Sequence, residues 1–550
     1  MKMRWVVTTK EGTGALKARL VVQGFTDPRL GKIDTASPTC SRRARQWFLS
    51  AAASMGLQMH KGDVRQAFLQ GDEEQNDILC EPVEELKKKL GLDRGQCVRL
   101  LKAVHGLVNA PRRWWERIRT DMKAAGWEEL STEACFWVLR DKDGSIAALA
   151  VAYVDDFMLA LAPGSSRANK AFDQLQKAYE WGIWETGNFT QCGAKIKQSY
   201  DKNTKEFGEV RLDYADYAET IFEIDMSAKR KKELDSPLTQ SEHTQLRGVV
   251  GQLMWLGTQA VPQVLAGISL LLGATPPTVK VINEANRLVR QAVAWAQVPL
   301  KFHRHVEPTV VAWSDAGWGN RADGSSQGGH LVCITDAAFL QGEVAPITPI
   351  SWHSGKLKRV ARSSSAAEVQ AAADAEEECA YVRLLVAETI GGAFPLKQWT
   401  ETCALVPGVL ILDARGVYDA LSRSESTCLG LRDRRSGFEA LALKRNMQAT
   451  GCLLRWAHSD AQLADCLTKD SDKARMSYEL LQQRGYTWKL IYDPKFTAAR
   501  RRTAKGVSVL DDMPPDEAEE NDEPDEVIDL DPDPAQKNPD LEKLIRTYMP

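Results

Sequence analysis

The sequence predicts a mixed α/β chain: two regions of alternating strands and helices, a helical stretch between them, and an acidic tail with no fold of its own. Three observations predict it. Up to about residue 160, runs of β-branched and aromatic residues alternate with segments of helical periodicity, and the same alternation restarts near residue 308 and runs to about 470. Beyond Asp511 the chain is acidic, Pro-rich and nearly free of aromatic residues, a composition that cannot bury enough surface to fold. At 550 residues there is room for two to four domains with cores of their own.

The first elements follow from local signals. "KARLVVQGF" reads as a strand ended by Gly24, "SRRARQWFLSAAASMG" as a helix closed by Gly56, and "PRRWWERIRTDMKAAG" as a helix opened by Pro111 and closed by Gly126. In that last helix Trp114, Ile118 and Met122 recur at i, i+4 and i+8 and form an apolar stripe, which makes them core residues. From 165 to 300 helical patterns are expected to dominate, as in "SSRANKAFDQLQKAYE" and "TVKVINEANRLVRQAVAWAQ". The second strand-and-helix region contains "TVVAWSDAGWG", "GGHLVCITD", a long Ala-rich helix after Ser365, "GVLILDARGVYDAL" and "GCLLRWAHSDAQLADCLTKD".

Charge is unevenly spread. The formal net charge is −3, but the residues from Asp511 onward carry −12, so the rest carries +9. A mildly basic body suits a polyanionic partner. Eleven cysteines with no CxxC pair and no regular spacing argue against a disulfide framework or a zinc ribbon, and a reducing, intracellular setting is expected. No apolar run reaches the length of a membrane span, and the N-terminus has no secretory core.

Chemistry concentrates at "AVAYVDDFML", where Asp155 and Asp156 interrupt an apolar run. Strand-forming flanks make this a hairpin with the aspartates at its turn, and Asp-Asp is ordinary turn chemistry. A comparable carboxylate, Asp63 in "MHKGDVRQAFLQGD", follows another strand-like stretch. Carboxylates delivered from separate strand ends to one point repel unless divalent cations lie between them. Oxygen-only ligands favour magnesium or manganese, the pair of ions used in phosphoryl transfer. Lys17 and Arg19 lie two apart on a strand and share one of its faces, Phe68 follows Asp63 by five positions, and Gly106 in "HGLVNAPRRWWERI" permits close backbone approach.

The order "KARLVVQGF", "DVRQAFLQGD", "LLKAVHGLVNAPRRWW", "YVDD" resembles the reverse transcriptase of copia-type LTR retrotransposons over roughly the first 225 residues. The resemblance implies a right-hand polymerase with fingers, palm and thumb, in which Asp63 and Asp155 hold two metal ions and Asp156 supports them. It also implies that Phe68 lies under the incoming sugar and excludes a ribose 2′-hydroxyl, that Lys17 and Arg19 meet the triphosphate, and that Arg112 and Arg113 meet template phosphates. Asn109 stands where the family commonly has Gln.

A second set of carboxylates lies further on. Asp315 ends "VVAWSD", Glu368 falls in "SSSAAEVQAAADAEEE", Asp413 ends "GVLILD", and Asp465 lies in "DAQLADCLTK". Each has a plain structural reading: Ser365 and Glu368 as a capping box, Asp413 as a helix cap, Asp465 paired with Lys469 at i+4. Together they resemble the RNase H domain that follows reverse transcriptase in copia-type elements. That likeness implies an RNase H-like α/β domain in which the four acids hold two metal ions. His458 stands where some cellular RNases H keep a histidine that helps product leave, and "LRDRRSGFEALALKRN" departs from the stretch typical of the element.

The division that follows is 1–225 for fingers and palm, 226–307 for a helical thumb or connection, 308–470 for the RNase H-like domain, 471–510 for an extension and 511–550 for the tail. The expected function is RNA-directed DNA synthesis with RNase H activity, using Mg2+ or Mn2+, two ions per site. The expected partners are an RNA template, a DNA primer, an RNA:DNA hybrid and deoxynucleoside triphosphates, with no membrane, in the cytoplasm or the nucleus. The other reading is a degenerate or domesticated remnant that binds nucleic acid without turnover, because the family's sequence upstream of the fingers strand and its capsid, protease and integrase regions are missing.

Overall fold

A computed structural model describes residues 1–490 except 10–13, 75, 274–275 and 423–432. The disordered tail expected over 511–550, the part of the extension beyond 490 and the start of "LRDRRSGFEALALKRN" lie outside the described residues. The chain is mixed α/β and its described residues form two compact units, one within 1–41 and 57–186, the other within 42–56 and 187–490.

The first unit is built on a six-stranded, wholly antiparallel sheet in the order Glu185–Thr186, Gln58–Asp63, Asp156–Leu161, Ile146–Tyr153, Phe136–Arg140, Glu128–Glu129. Its central strand IAALAVAY is buried from Ile146 to Ala152. Such continuous burial explains why this strand reads as an unbroken apolar run rather than an alternating one. The helix Ala110–Ala124 carries Pro111 in its first turn and buries Trp114, Ile118 and Met122, the stripe expected of it. A hairpin of Met3–Thr9 and Leu16–Val22 brings Val22 into a small core with Ile78, Leu100, Leu107 and Ala110.

The second unit holds two sheets. One is antiparallel, in the order Asn188–Gln191, Ala194–Asp201, Glu206–Asp213, Leu300–Phe302. Helices do dominate from 165 to 300, with Ser166–Ala178 and Val279–Trp295 where their periodicity placed them, but this sheet is an element that a helical reading of the stretch does not contain. The reason lies in AKIKQSYD, where Ala194, Ile196 and Gln198 are buried and Lys195, Lys197 and Ser199 exposed. That period of two marks a half-buried strand.

The other sheet has the order Thr348–Lys356, Gln327–Asp336, Pro308–Gly317, Gly408–Leu412, Cys452–Trp456. Its first three strands are antiparallel neighbours and its last two run parallel to Pro308–Gly317. The helix Ser364–Gly391 packs on it. The expected capping box is not formed: Ser363, not Ser365, is the N-cap, its hydroxyl accepting from the Ala366 amide, and Glu368 lies one turn inside the helix. Among the described residues no single helix is long and apolar enough to cross a membrane.

Candidate active sites: two carboxylate clusters

The first cluster forms at one end of the six-stranded sheet. Tyr153 pairs with Asp156, so the hairpin loop consists of Val154 and Asp155, and Asp156 is already the first residue of the next strand. The two aspartates are therefore not both turn residues. Val154 has φ +62°, a left-handed conformation that costs a β-branched residue roughly 1–2 kcal/mol. Two hydrogen bonds hold the strained loop: Trp114 Nε1 donates to the Val154 carbonyl at 2.8 Å, and the Val64 amide donates to the Asp155 carbonyl at 2.8 Å. Thus Trp114 is core, as its spacing indicated, and also anchors the turn.

On the neighbouring strand Asp63 pairs in register with Asp156, which brings together three carboxylates from positions 63, 155 and 156. Burial raises the Asp63 carboxyl above its ordinary range, Asp155 adds to this, and Lys61 and Lys17 oppose it. Burial pushes Asp156 up to about 6, with Lys61 opposing and Asp63 adding. Lys61 Nζ stands 3.5 Å from Asp156 Oδ1, too far for a well-formed hydrogen bond, and this buried oxygen has no hydrogen-bond partner. Asp155 is exposed. A buried, unsatisfied carboxylate oxygen beside an exposed carboxylate fits a hard cation.

The remaining residues singled out here behave differently from one another. Lys17 and Arg19 are exposed on the Leu16–Val22 strand, and their charges act on His105, whose ring burial first and Arg19 next keep below the usual histidine range. Phe68 is half-buried, packs against the Val22 core and meets His105 edge-on at 5.1 Å. Gly106 has φ +91° and lies so close to the Val22 carbonyl that a Cβ would sit 2.1 Å from it. Arg112 is engaged with Glu116 at 2.6 Å, Asp34 at 3.0 Å and the face of Trp115, and Arg113 with Glu74 at 3.0 Å. Asn109 is buried at the start of its helix with Oδ1 unpartnered.

The second cluster is tighter. Asp315 near the end of its strand, Asp413 just after Gly408–Leu412, and Asp465 at the start of a short helical turn place ligand oxygens within 4.8 Å of one another. Trp456 Nε1 donates to the Asp413 carbonyl at 3.1 Å, and Ser459 and Gln462 hydrogen-bond its carboxylate. Glu368 lies beside them and interacts with Asp315 and Asp413. Burial first, and Asp315 next, raise Glu368, Asp413 and Asp465, the last to about 7, while Lys469 pulls all three down. Three or four acidic oxygens and no sulfur or imidazole make a donor set for Mg2+ or Mn2+.

Lys469 and Thr468 enter this cluster as well. Lys469 Nζ lies 2.7 Å from Asp465 and 3.1 Å from Asp315, and the Thr468 hydroxyl donates to Asp315. The i+4 spacing disclosed the first of these contacts, whereas the contacts to Asp315, some 150 positions away, had no local signal. Lys61 was likewise not apparent in the sequence. His458 stays with its own turn, Nδ1 accepting from the Asp460 amide at 3.2 Å.

Two acid clusters, each gathered at the end of a sheet, are donor sets that suit hard divalent cations. Residues 1–222 match the family of reverse transcriptases, RNA-dependent DNA polymerases. The chain is similar to the Retrovirus-related Pol polyprotein from transposon RE2 of Arabidopsis thaliana (27% identity over 398 residues, 70% of this chain and 26% of that protein). It is also similar to the Pol polyprotein from transposon TNT 1-94 of Nicotiana tabacum (25% over 423 residues, 70% and 29%). These likenesses support a copia-type Pol fragment, and the chain spans about a quarter of the length of those relatives. Among solved structures, the foamy viral protease-reverse transcriptase in complex with double-stranded DNA aligns with TM-score 0.47 and 12% identity over 83% of this chain and 65% of that one.

Proposed function

We propose that the chain is an RNA-directed DNA polymerase with an associated RNase H activity, each run by a pair of divalent ions. The observation that carries this reading is the convergence of acids distant in sequence at two strand-end clusters, Asp63 with Asp155 and Asp156, and Asp315 with Glu368, Asp413 and Asp465. Bound Mg2+ or Mn2+ would activate the attacking oxygen and steady the leaving one. In the first cluster Asp63 and Asp155 would hold the ions while Asp156, kept in place by strand pairing and Lys61, supports them. Lys17 and Arg19 are free of strong ion pairing among the described residues and suit a triphosphate, and Phe68 would pack beneath the sugar of a deoxynucleoside triphosphate. Arg112 would reach template phosphates only by exchanging Asp34 or Glu116 for them.

In this reading 1–225 supplies fingers and palm, 226–307 a thumb or connection and 308–470 the nuclease, acting on an RNA template, a DNA primer and their hybrid inside the cell. The second reading, a remnant that binds nucleic acid without turnover, is favoured by the lysine found in each cluster. Primer extension on poly(rA)/oligo(dT) with magnesium separates them. Wild type extends, and Asp155→Asn loses about 100-fold or more. Equal extension by both removes the polymerase assignment. Cleavage of a labelled hybrid disappears in Asp413→Asn, and its persistence removes the nuclease assignment. Binding of the hybrid with neither activity selects the remnant.

A further inference from the structure

We propose that Lys469 is the resident counter-cation of the Asp315–Asp413–Asp465 cluster, and that a divalent ion enters there by displacing its ammonium, so that Lys469 sets the metal affinity of the site. The inference rests on the metal-centred reading above. Nζ reaches Asp465 Oδ1 at 2.7 Å and both oxygens of Asp315, at 3.1 and 3.3 Å. The ligand oxygens of the three aspartates lie within 4.8 Å of one another, so the ammonium, bridging two of the three acids, borders the space in which an ion bound at about 2.1 Å from each oxygen would sit.

Its surroundings make displacement cheap for the lysine and not for the acids. The Lys469 side chain is 42% exposed and the Asp315 side chain 2%. An ammonium on a flexible four-carbon stem swings into water without moving the backbone. The backbone itself is fixed: the Lys469 amide donates to the Asp465 carbonyl at 3.0 Å, and Asn320 Nδ2 donates to the Thr468 carbonyl at 2.9 Å. Gly329 faces the same turn, where a Cβ would come within 2.7 Å of Leu467. The acids are therefore held in position while the cation they share is exchangeable.

The test is a Mn2+ titration, by calorimetry and by the spin-resonance signal of the free ion, on the full chain carrying Asp63→Asn and Asp155→Asn to silence the first cluster. With Lys469→Met or Lys469→Gln, the Kd for Mn2+ falls about tenfold or more, whereas Lys469→Arg keeps it within about twofold. In hybrid cleavage by the otherwise unaltered chain, the Mg2+ concentration for half-maximal rate falls in the same order. A Kd unchanged or raised in both neutral variants overturns the proposal while leaving the metal site standing. Mn2+ uptake that persists when Asp413→Asn is added shows that the ion binds elsewhere and overturns both. A lysine serving structure alone would lower thermal stability without changing Kd, and that result also counts against the proposal.

Discussion

Gly106 carries two demands that no other residue meets. Its φ of +91° disfavours any side chain, and its position against the Val22 carbonyl leaves no room for one, while Gly24 faces the Gly106 carbonyl just as closely. Gly106→Ala is expected to destabilise the first unit by about 3 kcal/mol, measured by urea unfolding; a loss under about 1 kcal/mol would show that the contact relaxes. Glu376 is a residue of another kind. It is buried on the Ser364–Gly391 helix with Oε1 unpartnered, and burial pushes its carboxyl up to about 7 despite Arg383. Between about pH 4.5 and 7 the folded chain holds a proton that the unfolded chain has released, so this group's contribution falls as pH rises through that window and is level above it. Relative to Glu376→Gln, wild type should lose up to about 3 kcal/mol from pH 4.5 to pH 8. Parallel pH profiles for the two proteins would rule this out. Neither the burial of Glu376 nor the left-handed Val154 was legible in the sequence, because both depend on what packs around them, whereas the need for a glycine at 106 was.

At the scale of elements, local signals located most helices and strands and missed where neighbours decided. The helix Ala110–Ala124 was legible from Pro111 and its apolar stripe. The strands within residues 188–213 carry a weaker signal, a short alternation in AKIKQSYD flanked by helical periodicity. Three consecutive serines, 363 to 365, at the start of the Ser364–Gly391 helix offer equivalent capping chemistry, and the fold selects Ser363. Ser363→Ala should cost about 1 kcal/mol and Ser365→Ala only a few tenths, compared by thermal melting; equal effects would argue against this N-cap.

Across the whole molecule, the two acid clusters belong to different compact units, the first wholly to residues 1–41 and 57–186, the second to the other. Each should therefore fail alone. Asp155→Asn is expected to retain hybrid cleavage within about twofold and Asp413→Asn to retain primer extension within about twofold, because the substituted acids share no ligand. Loss of both activities in either variant would show that the two sites are coupled.

The sequence by itself pointed to the acids of the proposed chemistry and to the strand-and-turn settings of Asp63, Asp155, Asp315 and Asp413, because turn residues and apolar periodicity are written within a dozen neighbouring positions. Tertiary structure alone decided that Asp63 lies in register with Asp156, that Lys469 reaches Asp315, and that the Arg42–Ser54 helix belongs to the second unit rather than the first. Those are pairings between distant segments, selected by which buried surfaces and charges complement one another in the folded chain, and no local period encodes them.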